Sequence, residues 1–138
     1  LSVAVAGLRS AFPALDVRAS GDLDTPMRIS EDNVLIILSN LADNAMRHGS
    51  SSLDVSATRQ GDQLKVTVSD DGEGVSPNNR ARIFDSFFTT RRDSGGTGMG
   101  LAIVRAMLDA HGGAVRLIES DHGTAFELTF PLTDAAAS

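Results

Sequence analysis

Asn40 and Asn44 lie four residues apart in the stretch ILSNLADNAMRHG, and Arg47 follows three residues later, so on a helix all three share one face. Asparagine is a poor helix-interior residue because its amide competes with the backbone for hydrogen bonds. Two of them beside a cation have two readings. One is a solvated polar face. The other is a neutral oxygen donor for Mg²⁺ together with a guanidinium reaching for phosphate, since Mg²⁺ takes few protein ligands and completes its shell with water and substrate phosphates. The spacing alone does not choose between them.

A second stretch, VSDDGEGVSP, puts Asp70 at the end of an apolar alternation and follows it with Gly72 and Gly74, in the order Asp-x-Gly-x-Gly. Glycine adopts positive φ and lets backbone approach a ligand closely. An aspartate at a strand end can accept a hydrogen bond from an exocyclic amine such as that of adenine; Asp71-Gly72 can equally be a plain hairpin turn. The later acidic positions of an EF-hand loop are missing. Two further stretches follow, IFDSFFTTRRDS and GGTGMGLAIV. The latter sets Gly95, Gly96, Gly98 and Gly100 at the mouth of a helix, where free amides and the macrodipole favour an anion. It lacks the lysine of a Walker A loop and does not directly follow a strand, as a dinucleotide fingerprint does.

The elements that must position these residues are written in the hydrophobic periodicity. Leu15, Val17 and Ala19 alternate as a strand, and Met27 with Ile29 predicts a short second one after the turn SGDLDTP. Ser30 is a candidate N-cap, with Glu31 and Asp32 at the positive end of a helix reaching about His48. Its apolar positions are Val34, Ile37, Leu38, Leu41 and Ala45, and Gly49 closes it. Strands are expected at Leu53–Ala57 and Leu64–Val68, joined by the Gly61-Asp62 turn. Pro77 opens a short helix ending near Phe84. From Asp85 to Gly98 the periodicity is lost, and a loop of that length is uncommon unless it is functional or mobile. A second long helix is expected from about Met99 to His111, burying Leu101, Val104, Met107 and Leu108 and stopping at Gly112-Gly113. A hairpin ends the chain: Val115 and Leu117, the turn SDHG, then Phe126, Leu128 and Phe130. The tail TDAAAS is expected to fray. Segregated helices against a mostly antiparallel, mixed sheet give an α+β two-layer sandwich.

Composition bounds the function. The 138 residues, 41% of them apolar, suit one domain spanning 1–138. No apolar run is long enough to span a bilayer and no signal-peptide pattern opens the chain, which begins at Leu1 as expected for a piece of a longer protein. Absent cysteine removes disulfides and thiolate chemistry. The net charge of -6 argues against a nucleic-acid surface but not against a local pocket for a small anion.

Taken in order and separation, the four stretches resemble the N box, first glycine box, F box and second glycine box of the catalytic and ATP-binding domain of sensor histidine kinases. That domain belongs to the Bergerat-fold superfamily, with DNA gyrase, MutL-type repair ATPases and the large heat-shock chaperone ATPases. The likeness runs from about Ser30 to Leu132. It implies a nucleotide held between the first long helix and a flexible lid at about 85–98. It also implies Asn44 as the Mg²⁺ ligand through its amide oxygen, Asn40 as support for metal or phosphates, and Arg47 near the phosphates. His48 stands where many members carry Tyr, beside the ribose or adenine. Asp70 corresponds to the aspartate that reads the adenine amine, with Gly72, Gly74 and Val75 shaping that pocket and Thr124 on its adenine side. Phe84, Phe87 and Phe88 would anchor the lid, whose Arg91 and Arg92 would clamp the γ-phosphate. Gly96, Thr97, Gly98, Met99, Gly100 and Leu101 would form the phosphate-side turn.

One position separates the branches of this superfamily. Hydrolysing members and the related anti-sigma serine kinases carry a glutamate, a general base, where this chain has Asn40, whose amide cannot take a proton at neutral pH. The resemblance therefore implies slow hydrolysis and transfer of the γ-phosphoryl group to a histidine that is already nucleophilic near pH 7. None of the three histidines, His48, His111 and His122, is followed by the acidic residue and downstream proline usual around the family's phosphoacceptor. The acceptor is thus expected on dimerisation helices preceding Leu1, with relay to a response regulator. The isolated domain is expected to be monomeric and cytoplasmic, without direct membrane or nucleic-acid contact; an inner-membrane anchor elsewhere in the full-length protein is compatible with this and is not shown by this chain. An ATPase or serine kinase of the same fold, and a non-catalytic module that has lost the nucleotide, are the alternatives. Asn40 speaks against the first and the intact Asn44, Asp70 and glycines against the second.

Overall fold

Leu64, Val66 and Val68 are buried while Lys65, Thr67 and Ser69 between them are half-buried, so one face of their strand is sealed and the other meets water. The same alternation recurs in each long strand and builds the architecture of the computed structural model, which describes residues 1–47, 49–72, 100–118 and 123–132. The elements run α1 (Ser2–Ala11), β1 (Asp16–Gly21), α2 (Glu31–Arg47), β2 (Ser52–Gln60), β3 (Gln63–Asp70), α3 (Gly100–Ala110), β4 (Ala114–Ile118) and β5 (Ala125–Pro131). The sheet order is β1-β2-β3-β5-β4. β1 runs parallel to β2 through the α2 crossover, and every other pairing is antiparallel. The expected α+β sandwich with a mixed, mostly antiparallel sheet is the fold observed.

The core lies between sheet and helices. Val34, Ile37, Leu38, Leu41, Ala42 and Ala45 of α2 meet Leu53, Val55, Leu64, Val66, Val68, Phe126, Leu128 and Phe130 from three strands. α2 starts where the sequence places it: Ser30 Oγ accepts the Asn33 N–H at 3.1 Å, with Glu31 and Asp32 in the first turn. It ends with Gly49 at φ +81, and the Ser50 N–H returns to the Ala45 carbonyl at 3.0 Å. Leu101 and Met107 of α3 are only half-buried, whereas Val104 and Leu108 are fully enclosed.

Two readings change. The strand expected at Met27 and Ile29 is a single bridge, Met27 to Leu132. Pro26 has no N–H to donate and Ser30 already caps a helix, so three residues lie between them, and of these Met27 pairs. The opening residues, given no element above, form α1, whose Ala4, Val5 and Leu8 are buried together with Leu1 at its N-cap. Glu31 caps α1 by accepting the Ala4 N–H at 3.0 Å. The short helix expected at 77–84, the aperiodic stretch 85–98, the tail 133–138 and most of the SDHG turn lie outside the described residues.

Candidate nucleotide site

β3 puts Asp70 in the buried series Leu64, Val66, Val68, Asp70, so its carboxylate faces the helical side rather than water and is 8% exposed. A buried carboxylate needs donors. Oδ1 accepts two backbone N–H bonds, from Gly72 at 2.9 Å and from Thr124 at 3.1 Å. The Asp70 N–H is returned to the Thr124 carbonyl at 2.8 Å. Both side-chain bonds fall on one oxygen, and among the described residues none is made to Oδ2. Among the described residues the carboxylate is thus held through Oδ1 alone.

Register brings the rest of the site to the same end of the sheet. Asp70 pairs with Leu53 at the start of β2, and β2 starts only a few residues after α2 ends. The last turns of α2, with Asn44 and Arg47, therefore stand by the strand end that carries Asp70. Asn40 sits one turn earlier. Its Nδ2 donates to the Ile36 carbonyl at 2.9 Å, which turns Oδ1 to the other side of the amide. A β-carbon placed on Gly100 would lie 3.5 Å from that Oδ1, so the first residue of α3 faces the Asn40 amide oxygen. The described start of α3 thus meets the polar face of α2, and a helix N-terminus presents amides without intrahelical partners and a positive dipole end. Asn44 is half-buried. Arg47 Nε donates to Asp43 Oδ2 at 2.8 Å, one helical turn back, which holds the guanidinium along the helix.

Of the residues singled out in the sequence, Asn40, Asn44, Arg47, Asp70, Gly72, Gly100, Leu101 and Thr124 are described, and Asn40 and Gly100 are brought together, as are Asp70, Gly72 and Thr124. His48, Gly74, Val75, Phe84, Phe87, Phe88, Arg91, Arg92, Gly96, Thr97, Gly98 and Met99 lie outside the described residues. Thr124 enters the site through its backbone N–H.

Two residues were missed. Asp71, read above only as part of a turn, accepts the N–H groups of Ser51 and Ser52 on Oδ1 at 2.8 and 3.1 Å and the Ser51 hydroxyl on Oδ2 at 2.7 Å. The Ser51 hydroxyl, followed by the backbone amides, holds its carboxyl down at about 2 against an ordinary 3.8. Asp70 and Asp71 thus split the two sides of one strand end between them: one faces the helices, the other ties β3 to β2. The second is Gly123, whose sequence signal was a glycine closing the turn SDHG before the alternation Phe126, Leu128, Phe130.

Among the described residues no helix is long and apolar enough to cross a membrane. Residues 29–134 match the family described as histidine kinase-, DNA gyrase B-, and HSP90-like ATPase. Sensor histidine kinase CpxA of Escherichia coli (strain K12) is 41% identical over 90 residues, covering 62% of this chain and 20% of the relative. Sensor-like histidine kinase SenX3 of Mycolicibacterium smegmatis is 31% identical over 140 residues, covering 95% of this chain and 36% of the relative. The chain thus spans about a fifth to just over a third of the curated relatives it matches. In fold, the nucleotide-free catalytic domain of histidine kinase ThkA superimposes with a TM-score of 0.83 at 23% identity, covering 99% of this chain and 95% of that one. A carboxylate pinned by two amides at a strand end, an asparagine-bearing helix facing a second helix's N-terminus, and a family match across 29–134 converge on one assignment: the chain belongs to the histidine kinase-, DNA gyrase B-, and HSP90-like ATPase family, as a domain of the sensor histidine kinase type.

Proposed function

We propose that this chain binds Mg-ATP and donates its γ-phosphoryl group to a histidine on a separate dimerisation domain of the same kinase, for relay to a response-regulator aspartate. The observation that carries the reading is the pairing of Asp70, buried with its Oδ1 pinned by two backbone amides, with the Asn40 amide oxygen facing the start of α3. The first suits a base that offers an amino group. The second suits phosphates at a helix N-terminus.

The donor set fits Mg²⁺. Among the described residues no group of three or more His, Cys, Asp or Glu side chains gathers to hold a metal by itself. Neutral amide oxygens on one helix face suit a hard cation that draws the rest of its shell from phosphates and water. Asn44 would ligate it and Asn40 would support it. Bound there, it would neutralise charge on the transferring phosphoryl group. The chain's own contribution is positioning: Asp70 holds the base, Arg47 and the α3 N-terminus hold phosphate charge, and Asn40 supplies no base to activate water. In the same reading Gly72, Gly74, Val75 and Thr124 form the base pocket. His48 lies beside the ribose. Phe84 and Arg91 act in the lid, and Gly96, Thr97, Gly98, Met99 and Leu101 complete the phosphate turn.

The test is a titration with a non-hydrolysable ATP analogue, with and without Mg²⁺, against a guanine analogue as competitor. Saturable, adenine-selective binding that strengthens with Mg²⁺ is expected. In Asn44→Ala the Mg²⁺-dependent affinity falls by about tenfold, the scale of one lost contact to a charged group. Unchanged affinity with Mg²⁺ present would remove Asn44 from the metal. Steady phosphate release by the isolated chain would favour the ATPase branch instead.

A further inference from the structure

Gly123 lies against Asp70 more tightly than any side chain permits. It holds φ +72, and a β-carbon built on it would stand 2.1 Å from the Asp70 carbonyl oxygen and 2.8 Å from Asp70 Oδ1. Gly61 also has a positive φ, +62, yet nothing lies within 4 Å of its β-carbon position. Gly61 answers a turn's conformational need alone, whereas Gly123 answers that need and a close approach as well. The approach has a consequence one residue on. With the backbone of 123 against Asp70, the Thr124 N–H reaches Oδ1 at 3.1 Å and the Thr124 carbonyl accepts the Asp70 N–H at 2.8 Å.

We propose that Gly123 is a positioning residue that sets base specificity, by letting the 123–124 backbone close on Asp70 so that Oδ1 is held and Oδ2 reads the nucleobase. The inference rests on the reading of Asp70 as the base-binding carboxylate. With Oδ1 occupied by the Gly72 and Thr124 amides, the carboxylate cannot turn its other edge or swing to make room for a bridging water. Oδ2 then offers lone pairs in one direction. A 6-amino purine presents a donor to it. A 6-oxo purine presents an acceptor, and two facing acceptors leave both unpaired. A loosened carboxylate reorients and discriminates less, while phosphate contacts on α2 and α3 are untouched. Selectivity and overall affinity therefore separate.

The experiment compares dissociation constants for the imidotriphosphate analogues of ATP and GTP in wild type, Gly123→Ala and Gly61→Ala. Gly61→Ala carries the same backbone strain without the collision. In Gly123→Ala the adenine analogue weakens by about tenfold and the guanine analogue changes far less, so the preference ratio collapses; in Gly61→Ala the ratio stays at the wild-type value. A folded Gly123→Ala that keeps the wild-type ratio overturns the proposal and leaves the ATP reading standing. A wild-type chain that shows no adenine preference overturns the ATP reading itself. If Gly123→Ala does not fold, amide hydrogen exchange on the wild-type chain decides. Thr124 exchanges more slowly with the saturating adenine analogue than with the saturating guanine analogue, and equal rates overturn the proposal.

Discussion

Asp70 and Asp71 are neighbours with opposite duties, and their protonation has different consequences. Asp71 is held at about 2, below its ordinary 3.8, by the Ser51 hydroxyl and the Ser51 and Ser52 amides. A carboxyl with a depressed folded-state pKa stabilises the fold above its unfolded pKa, and that contribution is lost as pH falls through the folded value. The window here is roughly pH 4 down to 2. Denaturant titrations at stepped pH should show wild type losing stability across this window more steeply than Asp71→Asn, which has no proton to gain. Parallel acid limbs for the two chains would show that the link between β2 and β3 is not electrostatic. Glu127 follows the same sign, lowered first by its hydrogen bond to Arg116 and then by the charges of Arg116 and Lys65. It sits on the solvent face of the sheet and belongs to folding, not to the site.

At the scale of elements, α2 was legible because its signals agree. A cap at Ser30, acidic residues in the first turn, apolar spacing and a closing glycine all point to one helix. α1 carries weaker signals: no acidic residue in its first turn and no side-chain cap of its own. Its spacing of Leu1, Ala4, Val5 and Leu8 is helical, but a short amphipathic run needs a surface to pack on before it is a helix. Since Leu8 is fully buried, Leu8→Ala should cost about 2–5 kcal/mol in equilibrium unfolding. A cost near zero would mean that α1 is not part of the cooperative unit.

At the scale of the whole molecule, the proposed function makes the chain a phosphoryl-donor site that would position the nucleotide without a general base at Asn40. Incubated with radiolabelled ATP, it should accept no label on its own histidines. His111 has Nδ1 engaged with the Met107 carbonyl at 2.8 Å and closes α3 away from the Asn40 face. Label should appear when the dimerisation domain of the same kinase is added, on a base-stable, acid-labile phosphohistidine. Rapid phosphate release without it would sink the phosphotransferase reading.

The residues that could do chemistry were visible in the sequence, because Asn40, Asn44 and Asp70 are of unusual type for their places and glycines cluster beside them. The alternation of β2, β3 and β5 was visible too, since burying one face of a sheet writes itself into every second residue. What only the tertiary structure decided is how those residues meet. That Asp70 Oδ1 accepts the Thr124 N–H depends on pairing strands separated by more than fifty residues of chain. That Asn40 faces Gly100 depends on how α2 packs against α3. Asp71 and Gly123 look alike in sequence to any turn residues. Their roles exist only because folding brings Ser51 and Asp70, respectively, within reach, and no local pattern records a contact whose partner is far along the chain.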